Sequence, residues 1–452
     1  MELFGTTGIR GPVDEKVTPE LALAVGRAAG QYGEEFVIAR DGRVTGPAIV
    51  AALEAGLESA GADVVRGGVL PTPALSFATS GRHGIMVTAS HNPPTDNGIK
   101  FFIDGEEYTT ADEQRIENTL DEEPSSVRWN EWGSQSHEEI LGSYLDAVVD
   151  YTSQFGAPLD GTTVAVDCGN GVSALGTPQV LRRLGAGVHT LHANVDGHFP
   201  GRQSKPTPES LEGLCQYVAA RDEITLGFGH DGDADRIVVV DENGDIVHED
   251  TILAVLSEHF TAASDVEDPV VVTTPNVSGR VDERVEARGG RVVRTALGTL
   301  HEGIAEVLEE GTDETEVVFA GEPWKCIHPE LGIWTDGITT AAVLARLVAA
   351  ESLDSLTEPV VERPLLKDPV DCPEGAKADA MAELETVLPE EYPDGSVSLD
   401  YGVRIELPDG SWFLVRPSGT EPYIRVYAES DDIESLINDV TDTVERVVAR
   451  VS

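Results

Sequence analysis

The chain has 452 residues, which is too long for one ordinary domain and predicts three or four. Its 31 Lys and Arg residues stand against 81 Asp and Glu residues, a formal net charge of −50 that would repel nucleic acid and argues against such a partner. The acids are spread along the chain instead of forming a tail. We therefore expect a cytoplasmic protein of a high-salt cell, where ions screen the self-repulsion.

Nothing in the sequence predicts contact with a membrane. The first residues contain neither a basic segment nor an apolar run, so we expect no signal peptide. No apolar stretch is long enough to cross a bilayer, so we expect no membrane partner. Whether the protein is a monomer or a homo-oligomer is left open by the sequence.

One pattern of predicted elements occurs three times along the chain. Each copy is a short apolar strand, a polar turn containing glycine, a helix and a second strand, which is typical of a βαβ unit with parallel strands. The opening strands of the copies are residues 36–41, 163–167 and 270–273. Three copies predict three similar α/β domains. Because ligands bind beyond the carboxyl ends of such strands, the polar loops at those ends are the places to search for chemistry.

The last part of the chain has a different pattern. Residues 403–407, 412–415 and 424–427 alternate between apolar and polar side chains, which is typical of antiparallel strands, and a helix is predicted from 433 to 448. The sequence therefore predicts three similar mixed-sheet α/β domains followed by a smaller C-terminal α+β domain. The predicted domains are 1–155, 156–249, 250–362 and 363–452.

A serine lies in the loop that follows the apolar strand 84–87, which we call the serine loop (Thr88–Pro93). Ser90 is followed by His91 and sits at the end of a strand, where a hydroxyl can serve as a nucleophile. A serine in a polar loop is also a common cap or turn residue, and this loop lacks the small-residue elbow of a hydrolase serine. The loop alone leaves both interpretations open.

Three acids occupy the acidic loop (Asp231–Asp235) between two apolar strands. Asp231, Asp233 and Asp235 alternate along it, and Gly232 lets the chain wrap so that their carboxylates can converge on one hard cation. A solvated turn is the alternative, but the apolar strands on both sides favour a metal site. The ligand series of an EF-hand is missing, and three carboxylates with an open position suit Mg²⁺ bound to a phosphoryl oxygen.

A phosphate-binding pattern occurs in the phosphate loop (Arg416–Pro422), which follows the predicted strand 412–415. Arg416, Ser418 and Thr420, with the amides around Gly419, supply the charge and the donors that a phosphate dianion needs. A plain hairpin turn would need only the glycine and the prolines. In so acidic a chain, binding a phosphorylated ligand requires that the few cations be concentrated locally.

These loops, in this order and together with the opening segment Phe4–Gly11, resemble the α-D-phosphohexomutase superfamily, which includes phosphoglucomutase, phosphomannomutase and phosphoglucosamine mutase. The resemblance covers essentially the whole chain. It implies a heart-shaped, four-domain architecture and a phosphosugar mutase, an isomerase that interconverts a sugar 1-phosphate and 6-phosphate through an enzyme phosphoserine. A bisphosphorylated sugar is the implied intermediate and activator, and the phosphosugar is the implied partner.

The resemblance also implies roles for individual residues. Ser90 corresponds to the phosphoserine, and the three aspartates correspond to the ligands of one Mg²⁺ per chain, with a phosphoserine oxygen completing the site. Lys100 corresponds to a proton-transfer or charge-stabilising group, and Arg10 and His91 correspond to active-site neighbours. Arg236 lies beside the three aspartates and is a candidate for substrate binding. The residues that correspond to the clamp on the distal phosphate are Arg416, Ser418, Gly419 and Thr420.

The chain departs from the superfamily pattern most in its sugar loop (Gly321–Pro329). Glu322 keeps the acceptor for sugar hydroxyls, but the residues after it are rewritten, and the other candidate sugar contacts are Trp324 and Lys325. Trp324 can stack on a sugar face, although a tryptophan in such a loop is as often a packing residue. The variant resembles archaeal members of the superfamily, which act on hexose, hexosamine or pentose phosphates. The sugar therefore stays open, with a pentose as the alternative to glucose, mannose or glucosamine.

Two other functions fit parts of the sequence. A magnesium-dependent phosphatase with Asp231 as nucleophile would resemble the haloacid dehalogenases, but it leaves Ser90 and the phosphate loop without a role. A non-catalytic sugar-phosphate binding protein would need neither the serine loop nor the acidic loop, yet both are intact. Both functions therefore explain less of the sequence than the mutase does.

Overall fold

The computed structural model describes residues 3–5, 8–418 and 421–451. The chain divides into two compact units: the first consists of Met1–Ile252 with Val318–Thr357, and the second consists of Leu253–Val317 with Glu358–Ser452. Of the described helices, none combines the length and the apolar composition that crossing a bilayer requires.

The first unit opens with a seven-stranded mixed sheet. The strands are β1 (Ile9–Pro12), β2 (Glu35–Arg40), β3 (Asp63–Val69), β4 (His83–Val87), β5 (Asp96–Ile103), β6 (Glu106–Glu107) and β7 (Gln135–His137). The helices are α1 (Pro19–Ala29), α2 (Gly46–Ala60), α3 (Thr72–Phe77), α4 (Thr110–Asp121) and α5 (Leu141–Thr152). The strand order is β1-β5-β4-β2-β3-β7, with β6 beside β5. β2 is parallel to β3 and β4, whereas β5 is antiparallel to β4 and β1.

Two glycines let α1 and α2 pack at close range. A β-carbon at Gly26 would lie 2.4 Å from the backbone oxygen of Leu53, and one at Gly56 would lie 2.4 Å from the backbone oxygen of Leu23. Apolar side chains of both helices join those of β2 and β4 in one buried core. This packing fixes the carboxyl ends of β2 and β4, where the serine loop begins.

A second sheet of the first unit has four strands. These are β8 (Thr163–Asp167), β9 (Gly187–Leu191), β10 (Leu226–His230) and β11 (Ile237–Val240), accompanied by a 3-10 turn (Val172–Leu175), α6 (Thr177–Arg183) and α7 (Glu212–Ala219). β8 is parallel to β9 and β10, and β11 is antiparallel to β10. The acidic loop joins β10 to β11, so it leaves the carboxyl end of a parallel strand.

The next part of the chain contributes to both units. Its elements are α8 (Glu249–Ala263), β12 (Asp268–Thr273), α9 (Arg280–Glu286), β13 (Arg291–Arg294), α10 (Leu300–Glu310), β14 (Thr315–Glu322), β15 (Lys325–His328), β16 (Gly332–Thr335), α11 (Gly337–Ala350) and α12 (Leu353–Thr357). In the second unit, β12 and β13 are parallel. In the first unit, β15 is antiparallel to β14 and to β16. The tight turn between β14 and β15 lies within the sugar loop.

The C-terminal part of the second unit is a five-stranded antiparallel sheet with two helices. Its elements are β17 (Leu365–Asp371), a 3-10 turn (Glu374–Ala376), α13 (Lys377–Glu391), β18 (Ser396–Ser398), β19 (Val403–Glu406), β20 (Trp412–Pro417), β21 (Tyr423–Glu429) and α14 (Ile433–Val451). The order is β17-β21-β20-β19-β18, and apolar side chains of both helices pack into one core with the sheet.

The predicted fold class is confirmed, because mixed α/β sheets recur along the chain and an antiparallel sheet with helices closes it. In the C-terminal part of the chain, β17, β18 and α13 were not predicted from the sequence. β17 is mostly exposed and contains Pro369, and β18 is an exposed strand of three residues, so neither has the alternation of a half-buried strand. The limits of the four predicted domains stay predictions.

A buried aspartate starts α11. Asp336 Oδ1 accepts hydrogen bonds from the amides of Ile338 and Thr339, at 3.0 and 2.8 Å, and so caps the helix. The hydroxyl of Tyr144 on α5 donates to the same carboxylate at 2.9 Å. Burial raises the pKa of Asp336, and the hydrogen bonds it accepts offset part of that effect. The carboxylate therefore ties α5 to the helix that follows β16.

Replacing Tyr144 by Phe should lower the free energy of unfolding by about 1–2 kcal/mol, because a buried carboxylate loses one donor. Tyr32→Phe is the control, since the Tyr32 hydroxyl is at an exposed position where water can replace its partners. Urea unfolding followed by circular dichroism measures both variants. Equal losses in the two variants would contradict the role of the Tyr144 hydroxyl.

Candidate active site

Ser90 lies directly beyond β4, with its hydroxyl against the acidic loop. Its side chain is fully buried, and Ser90 Oγ donates a hydrogen bond to Asp231 Oδ2 at 2.6 Å. The Ser90 backbone has a φ of 50°, in the left-handed region that residues other than glycine rarely adopt. The fold thus brings together two loops that are 141 residues apart in sequence, and it does so at a strained serine.

Both peptide groups of Ser90 are held by the chain around it. The Ser90 amide donates to Thr88 Oγ1 at 2.9 Å, and Thr88 Oγ1 in turn donates to the carboxylate of Asp41 at 2.7 Å. The Ser90 carbonyl accepts a hydrogen bond from Arg43 Nη2 at 2.9 Å. Arg43 Nε also bonds to Asp41, at 3.0 Å. One buried ion pair therefore holds both the amide and the carbonyl of Ser90, the amide through Thr88.

Arg43 holds most of the serine loop. Its guanidinium is fully buried and donates to the backbone oxygens of Asn92, Pro93 and Asp96 at 2.7–2.9 Å, besides that of Ser90. Every one of these bonds needs a donor in a fixed direction, which a planar guanidinium supplies and an ammonium does not. The ring of Phe199 lies 5.1 Å from the Arg43 guanidinium carbon, on one face of the group.

The acidic loop presents three buried carboxylates to one point. One oxygen from each of Asp231, Asp233 and Asp235 lies within 4.8 Å of the others, and all three side chains are fully buried. Asp233 Oδ2 accepts a hydrogen bond from Thr72 Oγ1 at 2.7 Å, whereas Asp233 Oδ1 and Asp235 Oδ1 are buried without a hydrogen-bond partner. Buried carboxylate oxygens without donors are costly unless a cation binds them, so this donor set fits Mg²⁺.

The electrostatics of the three carboxylates are unequal. Burial and the nearby charges of Asp235 and Asp233 raise the pKa of Asp231 well above its ordinary value. Burial would also raise the pKa of Asp235, but Lys100, Lys325 and Arg236 outweigh it and hold that pKa well below the ordinary value. The charged form is therefore least stable at Asp231, next to the serine hydroxyl, and a bound cation would favour that form.

Four cationic side chains face the acidic loop. Lys100 Nζ lies 3.3 Å from Asp235 Oδ2 and 3.5 Å from Asp233 Oδ2. Burial acts to lower the pKa of Lys100, but the two aspartates outweigh it and raise that pKa. Arg236 Nε lies 3.7 Å from Asp231 Oδ2, and Arg10, whose Nε is buried without a hydrogen-bond partner, faces the same carboxylates. The fourth cation is Lys325, whose Nζ lies 3.8 Å from Asp235 Oδ2.

His91 lies beside the serine but is not a cation. Its Nδ1 is 3.4 Å from Ser90 Oγ. Burial, with the positive charges of Arg236 and Arg10, lowers the pKa of His91 to about 2. The ring is therefore neutral at physiological pH, and the positive charge of the site comes from the lysines and arginines.

The sugar loop contributes two charged side chains on one face of a hairpin. Glu322 on β14 stands opposite Lys325 on β15, and Lys325 Nζ lies 3.6 Å from Glu322 Oε1. Trp324, between them, has a φ of 70°, and its carbonyl accepts a hydrogen bond from the Ile237 amide at 2.9 Å. Its ring packs, half-buried, against the apolar cluster that contains Val238. This contact agrees with the packing alternative for Trp324.

The phosphate loop belongs to the second unit. Arg416 Nη2 donates to the Tyr427 hydroxyl at 3.1 Å, and Arg416 Nε is buried without a hydrogen-bond partner. Lys377 is buried below the loop, where its Nζ donates to the backbone oxygens of Ser418 and Glu421 at 2.7 and 2.8 Å. Two further candidates, Gly419 and Thr420, lie outside the described residues.

Sequence reasoning missed the residues that hold these loops in place. Thr72, Asp41, Arg43 and Lys377 contact the loops through the fold, and no local motif marks Thr72 or Lys377. Asp41 and Arg43 did carry a signal, because Asp41 ends the first predicted strand and Arg43 follows it, where polar side chains are expected to serve a site.

The comparisons with known proteins agree with this arrangement. The four domains of the phosphoglucomutase/phosphomannomutase family match in order: α/β/α domain I at residues 1–126, domain II at 142–244, domain III at 248–363 and the C-terminal domain at 370–447. A probable phosphoglucosamine mutase of Methanopyrus kandleri is 42% identical over 99% of each chain. A phosphopentomutase of Thermococcus kodakarensis is 40% identical over 95% of this chain and 94% of its own length.

The solved structure of a phosphoglucomutase/phosphomannomutase family protein from Burkholderia thailandensis superimposes with a TM-score of 0.85. It is 26% identical and covers 100% of this chain and 97% of its own. The fold and the matches along the whole chain define an isomerase that transfers a phosphoryl group. The chain belongs to the phosphoglucomutase/phosphomannomutase family, within the α-D-phosphohexomutase superfamily.

Replacing Arg43 by Lys should lower kcat by about 100-fold or more, because the ammonium cannot donate to four loop carbonyls and Ser90 loses its position. KM should change little, since Arg43 has no open face toward a ligand. Steady-state kinetics on the sugar phosphate that reacts fastest measures kcat and KM separately. Arg115→Lys, on the exposed face of α4, is the control. A rise in KM at constant kcat would contradict the positioning role.

Proposed function

We propose that the protein interconverts a sugar 1-phosphate with the phosphate ester at the terminal carbon of the same sugar through a phosphorylated Ser90. The observation that carries this proposal is the buried Ser90 hydroxyl, 2.6 Å from a carboxylate of the acidic loop that four cationic side chains face. A phosphatase with Asp231 as nucleophile would need that carboxylate open to substrate, whereas Ser90 occupies one of its oxygens. A glucose, mannose or glucosamine phosphate is the proposed substrate, and a pentose phosphate is the alternative.

Asp231, Asp233 and Asp235, with an oxygen of the phosphorylated serine, would hold one Mg²⁺ per chain. When bound, the ion would neutralise charge on the phosphoryl oxygens as the phosphoryl group is transferred. The two buried carboxylate oxygens without hydrogen-bond partners, on Asp233 and Asp235, support this assignment.

The remaining chemistry belongs to side chains of the chain. The oxygen of a free sugar hydroxyl bonds to phosphorus as the bond from phosphorus to Ser90 Oγ breaks, and the hydroxyl proton ends on Ser90 Oγ. Lys100, Arg10 and Arg236 stabilise the negative charge that is spread over the transferring group. For Lys100, its ion pairs with Asp233 and Asp235 favour charge stabilisation over proton transfer.

The product of this step is a sugar bisphosphate, which must turn so that its other phosphate meets Ser90. We assign the phosphate distant from Ser90 to Arg416, Ser418, Gly419 and Thr420. Arg416 supports this role, because its buried Nε has no hydrogen-bond partner and so keeps one donor for a ligand. A catalytic amount of sugar bisphosphate would load Ser90 and act as activator.

Ser90→Ala should reduce isomerisation by about 1,000-fold or more, because the group that carries the phosphate is gone. The assay follows phosphate migration in molar salt with Mg²⁺ on glucose, mannose, glucosamine and ribose 1-phosphates, with a trace of the bisphosphate. Ser80→Ala, at an exposed position, is the matched control. Release of inorganic phosphate that persists in Ser90→Ala would refute the mutase and favour an aspartyl phosphatase.

We also propose that the protein is a cytoplasmic enzyme of a high-salt cell, on the strength of its net charge of −50. Raising KCl from about 0.1 M to about 1 M shortens the Debye length from about 10 Å to about 3 Å and screens repulsion among the surface acids. The temperature of half-unfolding should therefore rise by several degrees. A midpoint that is constant or falls with KCl would contradict the proposal.

A further inference from the structure

Lys325 is a buried lysine of the sugar loop. The chain has only six lysines, and this one is 5% exposed. Buried lysines are rare unless they are paired, and Lys325 has two acidic neighbours, Glu322 at 3.6 Å and Asp235 at 3.8 Å. It therefore joins the sugar loop to the acidic loop through charge.

The hairpin fixes where the ammonium group points. Glu322 and Lys325 are directly opposite in the β14–β15 register, so their side chains share one face of the hairpin. The turn between them is anchored to β11 by the hydrogen bond from the Ile237 amide to the Trp324 carbonyl. The Lys325 side chain is thus held, with little exposure, between Glu322 and Asp235.

Among the described residues, the carboxylates around the site already have cationic neighbours, and the half-buried Glu107 acts on Lys100 and Arg10. Asp231, Asp233 and Asp235 face the metal position and the cations of the site, and Glu322 faces Lys325. A sugar hydroxyl near this pair can donate to the carboxylate and accept from the ammonium at once. An amino group on the sugar is an ammonium at neutral pH, offers no acceptor and meets Lys325 as a like charge.

We infer that Lys325, through its pair with Glu322, makes the site select sugar phosphates that carry only hydroxyl groups, hexose or pentose, over amino-sugar phosphates. The inference rests on the proposed function and on the expectation from the sequence that Glu322 accepts from sugar hydroxyls. Sequence similarity does not distinguish these two activities, because the relatives named phosphoglucosamine mutase and phosphopentomutase are 42% and 40% identical to this chain. The inference does distinguish them.

The first experiment compares kcat/KM for glucose or ribose 1-phosphate with that for glucosamine 1-phosphate. The unmodified protein should favour the hydroxyl sugars by about tenfold or more, and Lys325→Met should shrink that ratio by about tenfold even if both activities fall. Lys325→Arg keeps the charge and should keep the preference, and Lys16→Met, at an exposed turn, should change nothing. A preference for glucosamine phosphate, or a ratio unchanged in Lys325→Met, would overturn the inference.

The second experiment needs no turnover. Calorimetry on Ser90→Ala measures binding of glucose 1-phosphate and of glucosamine 1-phosphate while Lys325 stays in place. Tighter binding of glucose 1-phosphate by about tenfold supports the inference, and equal or weaker binding overturns it. This comparison stays decisive if no sugar phosphate is isomerised, so failure of the mutase proposal and failure of the selectivity inference give different results.

Discussion

Three carboxylates cannot be buried within a few ångströms of one another unless positive charge surrounds them. Two unit charges 4 Å apart repel by about 4 kcal/mol at an effective dielectric constant of 20, and burial adds a desolvation cost for each. Two lysines and two arginines supply that positive charge around Asp231, Asp233 and Asp235. Two of the carboxylate oxygens still have no hydrogen-bond donor. The rest of the first unit depends on this constraint, because the strands must deliver the acids, the cations and the serine to the same point.

The second requirement is that the serine hydroxyl hold one position against backbone strain. A left-handed φ at a residue other than glycine costs about 1–3 kcal/mol, and it persists only where the surroundings fix it. Arg43, Asp41 and Thr88 do this by bonding both peptide groups of Ser90. Lys377 does the same for the phosphate loop in the second unit. In a chain with 31 Lys and Arg residues among 452, the buried Arg43 and Lys377 thus hold loops in place.

Much of this arrangement could be predicted from the sequence, because the residues proposed to bind phosphate or metal lie in short loops with distinctive composition. Ser90, the three aspartates and the phosphate loop are local patterns, and βαβ repeats predict that two of these loops lie at the carboxyl ends of strands. The supporting residues could not be predicted in the same way. Thr72 and Lys377 act through contacts made by the fold. Trp324 has a left-handed φ, which its residue type does not predict.

The central claim is that Ser90, held over three carboxylates, carries the phosphoryl group. The most direct test is peptide mass spectrometry after incubating the protein with Mg²⁺ and a sugar bisphosphate, and then with an excess of the sugar monophosphate. The account predicts one phosphate on the peptide that contains Ser90, absent when EDTA replaces Mg²⁺, and lost again when a sugar acceptor takes it. A phosphate on Asp231, or a protein that turns over sugar phosphate while Ser90 never becomes phosphorylated, would contradict the account.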